Sequence, residues 1–288
     1  MIKILTPKEL TGFYGTEMLS ENKQFTAYFA QGHYDEGRWI NGDVALIERN
    51  NVLFSSKFTR PLQVRVSNQG IIAIYDDTYH ETDRLGGTVF IYNILELLLQ
   101  IPISANLYKL YFSMNSEYLI FNTFHSKTDD ANKIFIIDIY NRILIEKIDF
   151  DFWFEDAMIN PIEKTISLIS KDGLTYEINF QNVQINLAEY EKQIFSKGSV
   201  IDKLRFLEDK YKDKNLLYKQ NIYFETLNAA ISNNSDTEIK SILLRQLGEY
   251  YFKNDNYRKA IEIWEQALTL NPRVGIKKKL DSLKLKIR

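Results

Sequence analysis

The sequence predicts a multidomain β + α chain, with a β domain of repeated antiparallel sheets over residues 1–187 and an all-helical domain over residues 195–288. Three observations predict this. The chain has 288 residues, about twice the usual domain length. A unit of about 46 residues recurs through its first two thirds. Near Leu187 the apolar spacing changes from a period of two to a period of about 3.6, which marks the boundary between the domains.

A polar turn residue marks each copy of the repeated unit. Ser20, Ser67, Ser113 and Asn160 are separated by 47, 46 and 47 residues. Four short β-favouring runs accompany each marker, with turn residues between them, and this is the pattern of one four-stranded blade of a β-propeller. Four blades are the smallest number that closes a propeller ring. The sequence therefore predicts a β-propeller-like domain of about four blades.

The third copy of the unit, Leu110–Ile148, resembles a blade of the WD-repeat family. Phe112–Ser116 stands at its first hairpin, and Ile136–Ile139 stands where that family often has a Trp-Asp pair. The Trp-Asp and Gly-His pairs themselves are absent from this block. The resemblance therefore implies a propeller-like fold without assigning a subfamily.

Helical periodicity follows the β domain to the end of the chain. Apolar spacing predicts helices near 188–195, 200–212, 215–232, 236–253, 256–270 and 275–286. Ser199 followed by Asp202, and Ser235 followed by Glu238, are predicted to form capping boxes at two of the helix starts.

One predicted helical hairpin, at about residues 241–274, resembles the tetratricopeptide repeat, a 34-residue helix pair. The matching positions are Leu244, Leu247, Gly248, Tyr251, Ala260, Trp264, Ala267 and Pro272. Leu244 is the one departure, because the family favours Trp there. The resemblance implies that the two helices cross closely at Gly248 and Ala260, and that Trp264 fills the seam. A single repeat needs neighbours to cover its faces, so the flanking helices are expected to pack against it.

The residues that carry catalysis in common enzyme classes are sparse. The chain has no cysteine, no Gly-rich phosphate loop, no Gly-x-Ser-x-Gly elbow and no His-Glu-x-x-His pair. Its three histidines, His33, His80 and His125, lie 12 or 13 residues after a marker serine, each with carboxylates nearby. They form a metal or catalytic site on one propeller face, or they are polar loop residues kept by repetition. No cofactor is expected, and adjacent carboxylates such as Asp76 and Asp77 are expected on a solvated edge.

The near-neutral net charge of −2 conceals a strong asymmetry. Residues 1–195 carry 17 basic and 26 acidic side chains, a net −9, whereas residues 196–288 carry 19 and 12, a net +7. The acidic part predicts a protein partner with a basic surface. The basic tail, Ile276–Arg288, suits nucleic acid, an anionic membrane or an acidic protein. A helical cap with a charged outer face is favoured, so nucleic acid is not expected as a partner.

These features together predict a non-catalytic protein-interaction module: an adaptor, a sensor or an inhibitor of the immunity type. The resemblance implies that the first helix of the repeat presents partner-binding side chains, which are Ile242, Arg245, Glu249, Phe252 and Lys253. The alternative is that the protein's own helices cover this face. The propeller loops are a second candidate surface. The alternative is a propeller enzyme, a metal-assisted hydrolase or lyase that uses the histidine-bearing loops. Self-association through unsatisfied repeat faces is a third possibility.

The location and source of the protein are predicted from composition. Neither a signal-peptide run nor a membrane span is evident, so a cytoplasmic location is expected. The abundance of Ile, Lys, Asn, Tyr and Phe suggests an AT-rich bacterial or phage genome.

Overall fold

The computed structural model describes residues 7–36, 38–77, 85–150, 154–211 and 213–287. This part of the chain divides into two compact units. The β unit comprises the residues up to Lys171 together with Thr175–Asn186, and the helical unit comprises Leu187 onward together with Asp172–Leu174. Apart from one short helix at Pro7–Thr11, strands precede helices in chain order, as the sequence predicted.

Within the described residues, the β unit contains four antiparallel sheets of three or four strands that follow one another along the chain, and one two-stranded hairpin. It begins with α1 (Pro7–Thr11), β1 (Thr16–Leu19), β2 (Phe25–Ala30), β3 (His33–Asp35), β4 (Arg38–Ile40), β5 (Gly42–Glu48) and β6 (Asn51–Phe58). The first sheet has the order β1-β2-β5-β6, and β3 and β4 form a separate hairpin. The second sheet contains β7 (Pro61–Val66), β8 (Ile72–Asp77), β9 (Gly87–Tyr92) and β10 (Leu97–Ile103).

The third sheet contains β11 (Leu107–Phe112), β12 (Tyr118–Thr123), β13 (Lys133–Asp138) and β14 (Ile143–Asp149). The fourth sheet contains β15 (Asp156–Asn160), β16 (Thr165–Ile169) and β17 (Thr175–Asn179). Because side chains alternate across a strand, a strand with apolar contacts on both faces reads as a continuous apolar run. Strand β12 shows this, since Leu119 and Phe121 pack toward the second sheet while Tyr118 and Ile120 pack toward the fourth.

Hydrophobic layers of this kind join the first sheet to the second, the second to the third, and the third to the fourth. Among the described residues, no core cluster joins the fourth sheet back to the first. In the part of the chain that the structure describes, the sheets are propeller-like in their order and packing but do not close a ring. The number of blades therefore stays a prediction.

The fourth sheet differs from the predicted four-stranded unit, because it has three strands. The chain after β17 runs beside that strand only briefly, where the Ile185 N–H donates to the Glu177 carbonyl at 3.0 Å. The Asn186 side chain then replaces the backbone: its Oδ1 accepts from the Glu177 N–H at 3.0 Å and its Nδ2 donates to the Thr175 carbonyl at 2.9 Å. A helix begins at the next residue, so a fourth strand has no length in which to form.

The marker serines of the repeat are structural residues of the first hairpin in each sheet. Ser20, Ser67 and Ser113 are all buried. Ser113 Oγ accepts from the Tyr118 N–H at 2.9 Å and donates to Asn115 Oδ1 at 2.8 Å. Ser20 makes the equivalent bonds, and Ser67 Oγ accepts from the Gln69 and Ile71 N–H groups. The repeat spacing therefore marks the turns at which a buried serine hydroxyl accepts hydrogen bonds from backbone N–H groups.

We expect Ser113→Ala to lower the free energy of unfolding by about 1–3 kcal/mol, because the mutation leaves the buried Tyr118 N–H without its side-chain acceptor. Urea unfolding of the full chain, followed by circular dichroism, measures the change. Ser55→Ala, at an exposed position on β6, is the matched control and should change stability by less than about 0.5 kcal/mol. Equal effects of the two variants would show that the turn does not depend on the buried hydroxyl.

The prediction of a solvated edge at Asp76 and Asp77 is wrong, because both side chains are buried. Asp76 accepts from the backbone N–H groups of Thr59 and Arg60 at 3.1 and 2.6 Å. Asp77 pairs with the Arg60 guanidinium at 3.2 Å. Thr59 and Arg60 connect the first sheet to the second, so the two carboxylates hold this connection in place.

The helical unit contains seven helices within the described residues. They are α2 (Leu187–Lys197), α3 (Val200–Lys210), α4 (Lys214–Leu217), α5 (Asn221–Asn233), α6 (Thr237–Lys253), α7 (Tyr257–Leu270) and α8 (Lys277–Ile287). Buried side chains of α3 to α8 form one hydrophobic core, and Phe195 of α2 packs against it. The predicted helix 215–232 is divided into α4 and α5, and the Tyr218 carbonyl between them accepts from Asn254 Nδ2 at 2.9 Å.

One of the two predicted capping boxes is present. Ser199 Oγ accepts from the Asp202 N–H at 3.2 Å, and the Asp202 carboxylate accepts from the Ser199 N–H at 3.1 Å. The second prediction is wrong by one residue, because α6 is capped by Asp236 rather than Ser235. Asp236 Oδ1 reaches the N–H groups of Glu238 and Ile239 at 2.8 and 3.1 Å.

Candidate functional site

Helices α6 and α7 form a closely packed hairpin around Trp264. A Cβ atom placed on Gly248 would lie 2.2 Å from two atoms of the Trp264 ring, so this helix crossing leaves no room for a side chain. Trp264 and Ala260 are fully buried, and Trp264 Nε1 donates to the Arg245 carbonyl at 3.2 Å. The contacts implied by the resemblance at Gly248, Ala260 and Trp264 are therefore present.

Beside this hairpin lies a cleft of about 490 Å³. Its walls are formed by side chains from α3, α4, α6 and the start of α8, and from the residues that follow α3 and α4 and precede α8. The lining residues are Glu208, Tyr211, Lys214, Leu217, Tyr218, Arg245, Gln246, Glu249, Lys253, Gly275, Ile276 and Lys279. The volume is within the range of about 300–1,000 Å³ that is usual for ligand sites.

Profile comparison matches residues 241–274 to the tetratricopeptide repeat. Residues 241–274 are similar to the tetratricopeptide repeat. No curated protein matches the chain significantly. The cleft lies against α6, which is the first helix of this matched segment. It lies on the face of α6 that also meets α3, α4 and α8.

Several solved structures are similar to this chain at low identity. HIRA(644-1017) is 12% identical with a TM-score of 0.44, over 95% of this chain and 93% of that one. The β-propeller domain of Cps50 (Swd1) from Myceliophteria thermophila is 10% identical with a TM-score of 0.35, over 56% and 49%. The β-propeller domain of the Trilobed protease from Pyrococcus furiosus, which has an open velcro topology, is 15% identical with a TM-score of 0.39, over 57% and 52%. At these scores the similarities carry no argument about function.

The structure brings three of the five predicted partner-binding residues of the repeat to the cleft. Arg245, Glu249 and Lys253 are spaced four residues apart on α6 and line it together. Ile242 is exposed one turn earlier and does not line the cleft. Phe252 points toward α7, where its ring centroid lies 5.6 Å from that of Trp264. Whether any of these side chains binds a partner stays a prediction.

The other lining residues were missed because they lie outside the repeat. Glu208, Lys214 and Tyr218 come from helices without the repeat pattern, and Lys279 belongs to the basic tail. A template shifted by one repeat length places Lys214 at the position of Gly248. The one sequence signal for Lys214 is this substitution of a lysine for the glycine of the repeat.

The acidic side chains of the cleft are held by neighbours within the helical unit. Glu208 Oε1 accepts from Gln246 Nε2 at 3.1 Å and from the Tyr223 hydroxyl at 3.4 Å. Burial raises the pKa of Glu208, while the charge of Lys214 and the Tyr223 hydrogen bond oppose that rise. Glu249 Oε2 pairs with Lys279 Nζ at 2.5 Å.

The remaining polar groups fix the shape of the cleft. Arg245 Nη1 donates to the Val274 carbonyl at 3.0 Å, which connects α6 to the segment before α8. Lys279 Nζ also lies 4.5 Å from the centroid of the Phe252 ring, a cation–π distance. Burial, followed by the charges of Glu249 and Glu208, raises the pKa of Tyr218 to about 12, so its hydroxyl is neutral at physiological pH.

The structure describes two of the three loop histidines, His33 and His125. His33 is exposed on β3. His125 is exposed, with its Nδ1 at 3.0 Å from Asn132 Nδ2. His80 lies outside the described residues. Within residues 7–36, 38–77, 85–150, 154–211 and 213–287, no three His, Asp or Glu side chains are grouped as a metal site requires.

The carboxylate beside His125 has a structural role. Asp130 is buried and accepts from the Ser104 N–H at 2.8 Å and from Lys147 Nζ at 2.9 Å. Burial alone would raise the pKa of Asp130, but the hydrogen bonds from Lys147 and Ser104 outweigh burial and lower it. Like Asp76, Asp130 holds the connection between two successive sheets.

The basic tail packs into the helical unit on one side. Ile276, Leu280 and Leu283 are buried in the core, and Lys284 pairs with Glu265 at 2.6 Å. This packing agrees with the interpretation of α8 as a cap on the repeat. None of the described helices is sufficiently long and apolar to cross a bilayer.

Proposed function

We propose that this protein is a non-catalytic interaction module that binds a protein partner in the cleft of its helical unit. The observation that carries the proposal is the cleft itself, which lies against the first helix of a tetratricopeptide repeat. Propeller-like and tetratricopeptide folds typically serve as interaction modules, and stacked helical repeats bind partners on such concave surfaces. The identity of the partner decides whether the protein acts as an adaptor, a sensor or an inhibitor. The cytoplasmic location and bacterial source of the protein stay predictions.

The chemistry of the cleft favours binding over catalysis. Its acids are held by neighbouring side chains, and its tyrosine hydroxyl at Tyr218 is neutral. A general base needs a free acceptor poised toward a substrate proton. Neither Glu208 nor Glu249 is free, because one is bound by Gln246 and the other by Lys279.

The β unit offers a second surface through its loops. Residues 1–195 carry the net charge of −9, so a partner that binds there is expected to present a basic surface, with association that weakens as salt is raised. Self-association of the chain is a further expectation, and light scattering of the purified protein measures it.

Affinity capture with three forms of the full chain tests the proposal. The cleft variant combines Arg245→Ala with Lys253→Ala, and the control combines Arg258→Ala with Lys277→Ala, which removes the same charges from exposed positions outside the cleft. We expect a protein that the wild type and the control recover in equal amount to be lost with the cleft variant. Equal recovery by all three forms would place binding elsewhere.

A second cleft variant protects the test against misfolding. Arg245 bonds the Val274 carbonyl, so its loss can disturb the fold. Lys253→Trp instead narrows the cleft from an exposed position and leaves that bond intact. Thermal unfolding of each variant should match that of the wild type before the captures are compared.

A further inference from the structure

Both acidic side chains of the cleft are bonded to neighbouring groups, whereas only some of its cationic side chains are. Six charged residues line it: Glu208, Lys214, Arg245, Glu249, Lys253 and Lys279. Both acids accept hydrogen bonds or ion pairs from within the helical unit. Of the four cations, Lys279 is neutralised by Glu249, and Arg245 is oriented by the Val274 carbonyl.

Two ammonium groups remain at the cleft without an acid partner. Lys214 and Lys253 are exposed, and neither forms an ion pair with any residue that the structure describes. Lys214 is near enough to Glu208 for its charge to lower the pKa of that carboxyl, yet the two do not form a salt bridge. The cleft therefore presents positive charge that the helical unit does not neutralise.

The position of Lys214 explains why it is available. It falls one repeat length before Gly248, where a side chain would overlap the Trp264 ring. A lysine at that position is incompatible with close helix packing of the kind seen at Gly248. Helix α4 is accordingly only four residues long, and Lys214 lies exposed at the cleft instead of in a helix seam.

The apolar residues that line the cleft are buried and offer little to a nucleic acid. Leu217, Tyr218 and Ile276 are buried and line it with only a small part of their surface. Single-stranded nucleic acids bind through exposed aromatic faces on which bases stack, together with a row of cations along the backbone. Tyr218 has no such exposed face, and Tyr211, the other aromatic residue of the lining, is half-buried. A polypeptide segment with carboxylates and one apolar side chain matches the cleft better.

We infer that the cleft binds an acidic peptide segment of the partner, with two of its Asp or Glu carboxylates paired to Lys214 and Lys253. This inference rests on the proposed function, since it names the chemistry of the partner at the same cleft. It also differs from the expectation for the β unit, whose acidic charge calls for a basic surface. One partner that has both an acidic segment and a basic surface meets both expectations, and so do two separate partners.

Peptide display on the intact protein tests the acidic segment directly and does not require that the partner be identified first. A library of random 12-residue peptides is selected on the wild-type chain at low ionic strength, and the enriched sequences are compared with the input library. We expect enrichment of Asp and Glu. Synthetic copies of the enriched peptides are then titrated against the variants by fluorescence polarisation.

The charge-reversed cleft variant, Lys214→Glu with Lys253→Glu, should bind the enriched peptide about tenfold more weakly or worse, since two ion pairs become two repulsions. The matched control, Lys277→Glu with Lys278→Glu, reverses the same charge on α8 outside the cleft and should change the affinity by less than about threefold. Replacing Asp and Glu in the peptide by Asn and Gln should reproduce the loss on the wild type.

The alternative outcomes separate this inference from the proposed function. Enriched peptides that are neutral or basic but lose affinity with Lys253→Trp would overturn the acidic partner and keep the binding cleft. Peptides unaffected by any cleft variant, or no enrichment at all, would overturn both. If a 12-nucleotide oligothymidine displaced the peptide, the cleft would be assigned to nucleic acid and the inference would be overturned.

Discussion

Trp264→Ala is expected to unfold the helical unit, with a loss of about 3–5 kcal/mol in the free energy of unfolding. Trp264 is the largest fully buried side chain of the protein's described residues. The ring contacts Gly248 so closely that no side chain fits between them, and its Nε1 satisfies the Arg245 carbonyl. Alanine would leave a large cavity next to a glycine, which has no side chain with which to fill it.

Hydrogen exchange measured by mass spectrometry locates the effect of Trp264→Ala. We expect amides of α6 and α7 to lose protection while those of β8 and β12 keep it. Trp39→Ala is the matched control, because Trp39 is only partly buried and lies in the β unit. Full protection of α6 and α7 in the Trp264 variant would contradict the packing described for the repeat.

Sequence alone was sufficient to predict the repeat hairpin, because its determining contacts lie within 34 residues of one another. Gly248 and Trp264 are 16 positions apart on adjacent helices, so their spacing specifies both the crossing and the seam. The cleft is different. Lys214 and Lys279 reach it from helices that lack the pattern, and only the packing of α4 and α8 places their side chains beside α6.

The β unit shows the same limit. Strand positions and the marker serines follow from local alternation and turn chemistry. The burial of Asp76 does not follow from such local patterns, because its hydrogen-bond donors are the backbone N–H groups of Thr59 and Arg60. Nothing in a side-chain pattern identifies backbone donors. The missing fourth strand of the last sheet likewise depends on Asn186, whose side-chain amide imitates a strand.

Phe121→Ala is expected to have the largest effect in the β unit, again about 3–5 kcal/mol. Phe121 is fully buried on β12, and its ring stacks on that of Phe135 with centroids 4.4 Å apart. The pair lies in the hydrophobic layer between the second and third sheets, which also contains Tyr75 and Leu110. Because both faces of β12 are packed against buried side chains, the cavity would be enclosed by core residues.

Urea unfolding and hydrogen exchange of the full chain measure the effect of Phe121→Ala, with Phe124→Ala as the matched control. Phe124 follows β12 directly, is 39% exposed and contacts Tyr108 edge to face, so its removal should cost about 1 kcal/mol or less. In the Phe121 variant we expect β8, β9, β12 and β13 to lose protection while α6 and α7 keep theirs. Loss of protection in α6 and α7 as well would show that the two units unfold together, which contradicts the predicted domains 1–187 and 195–288.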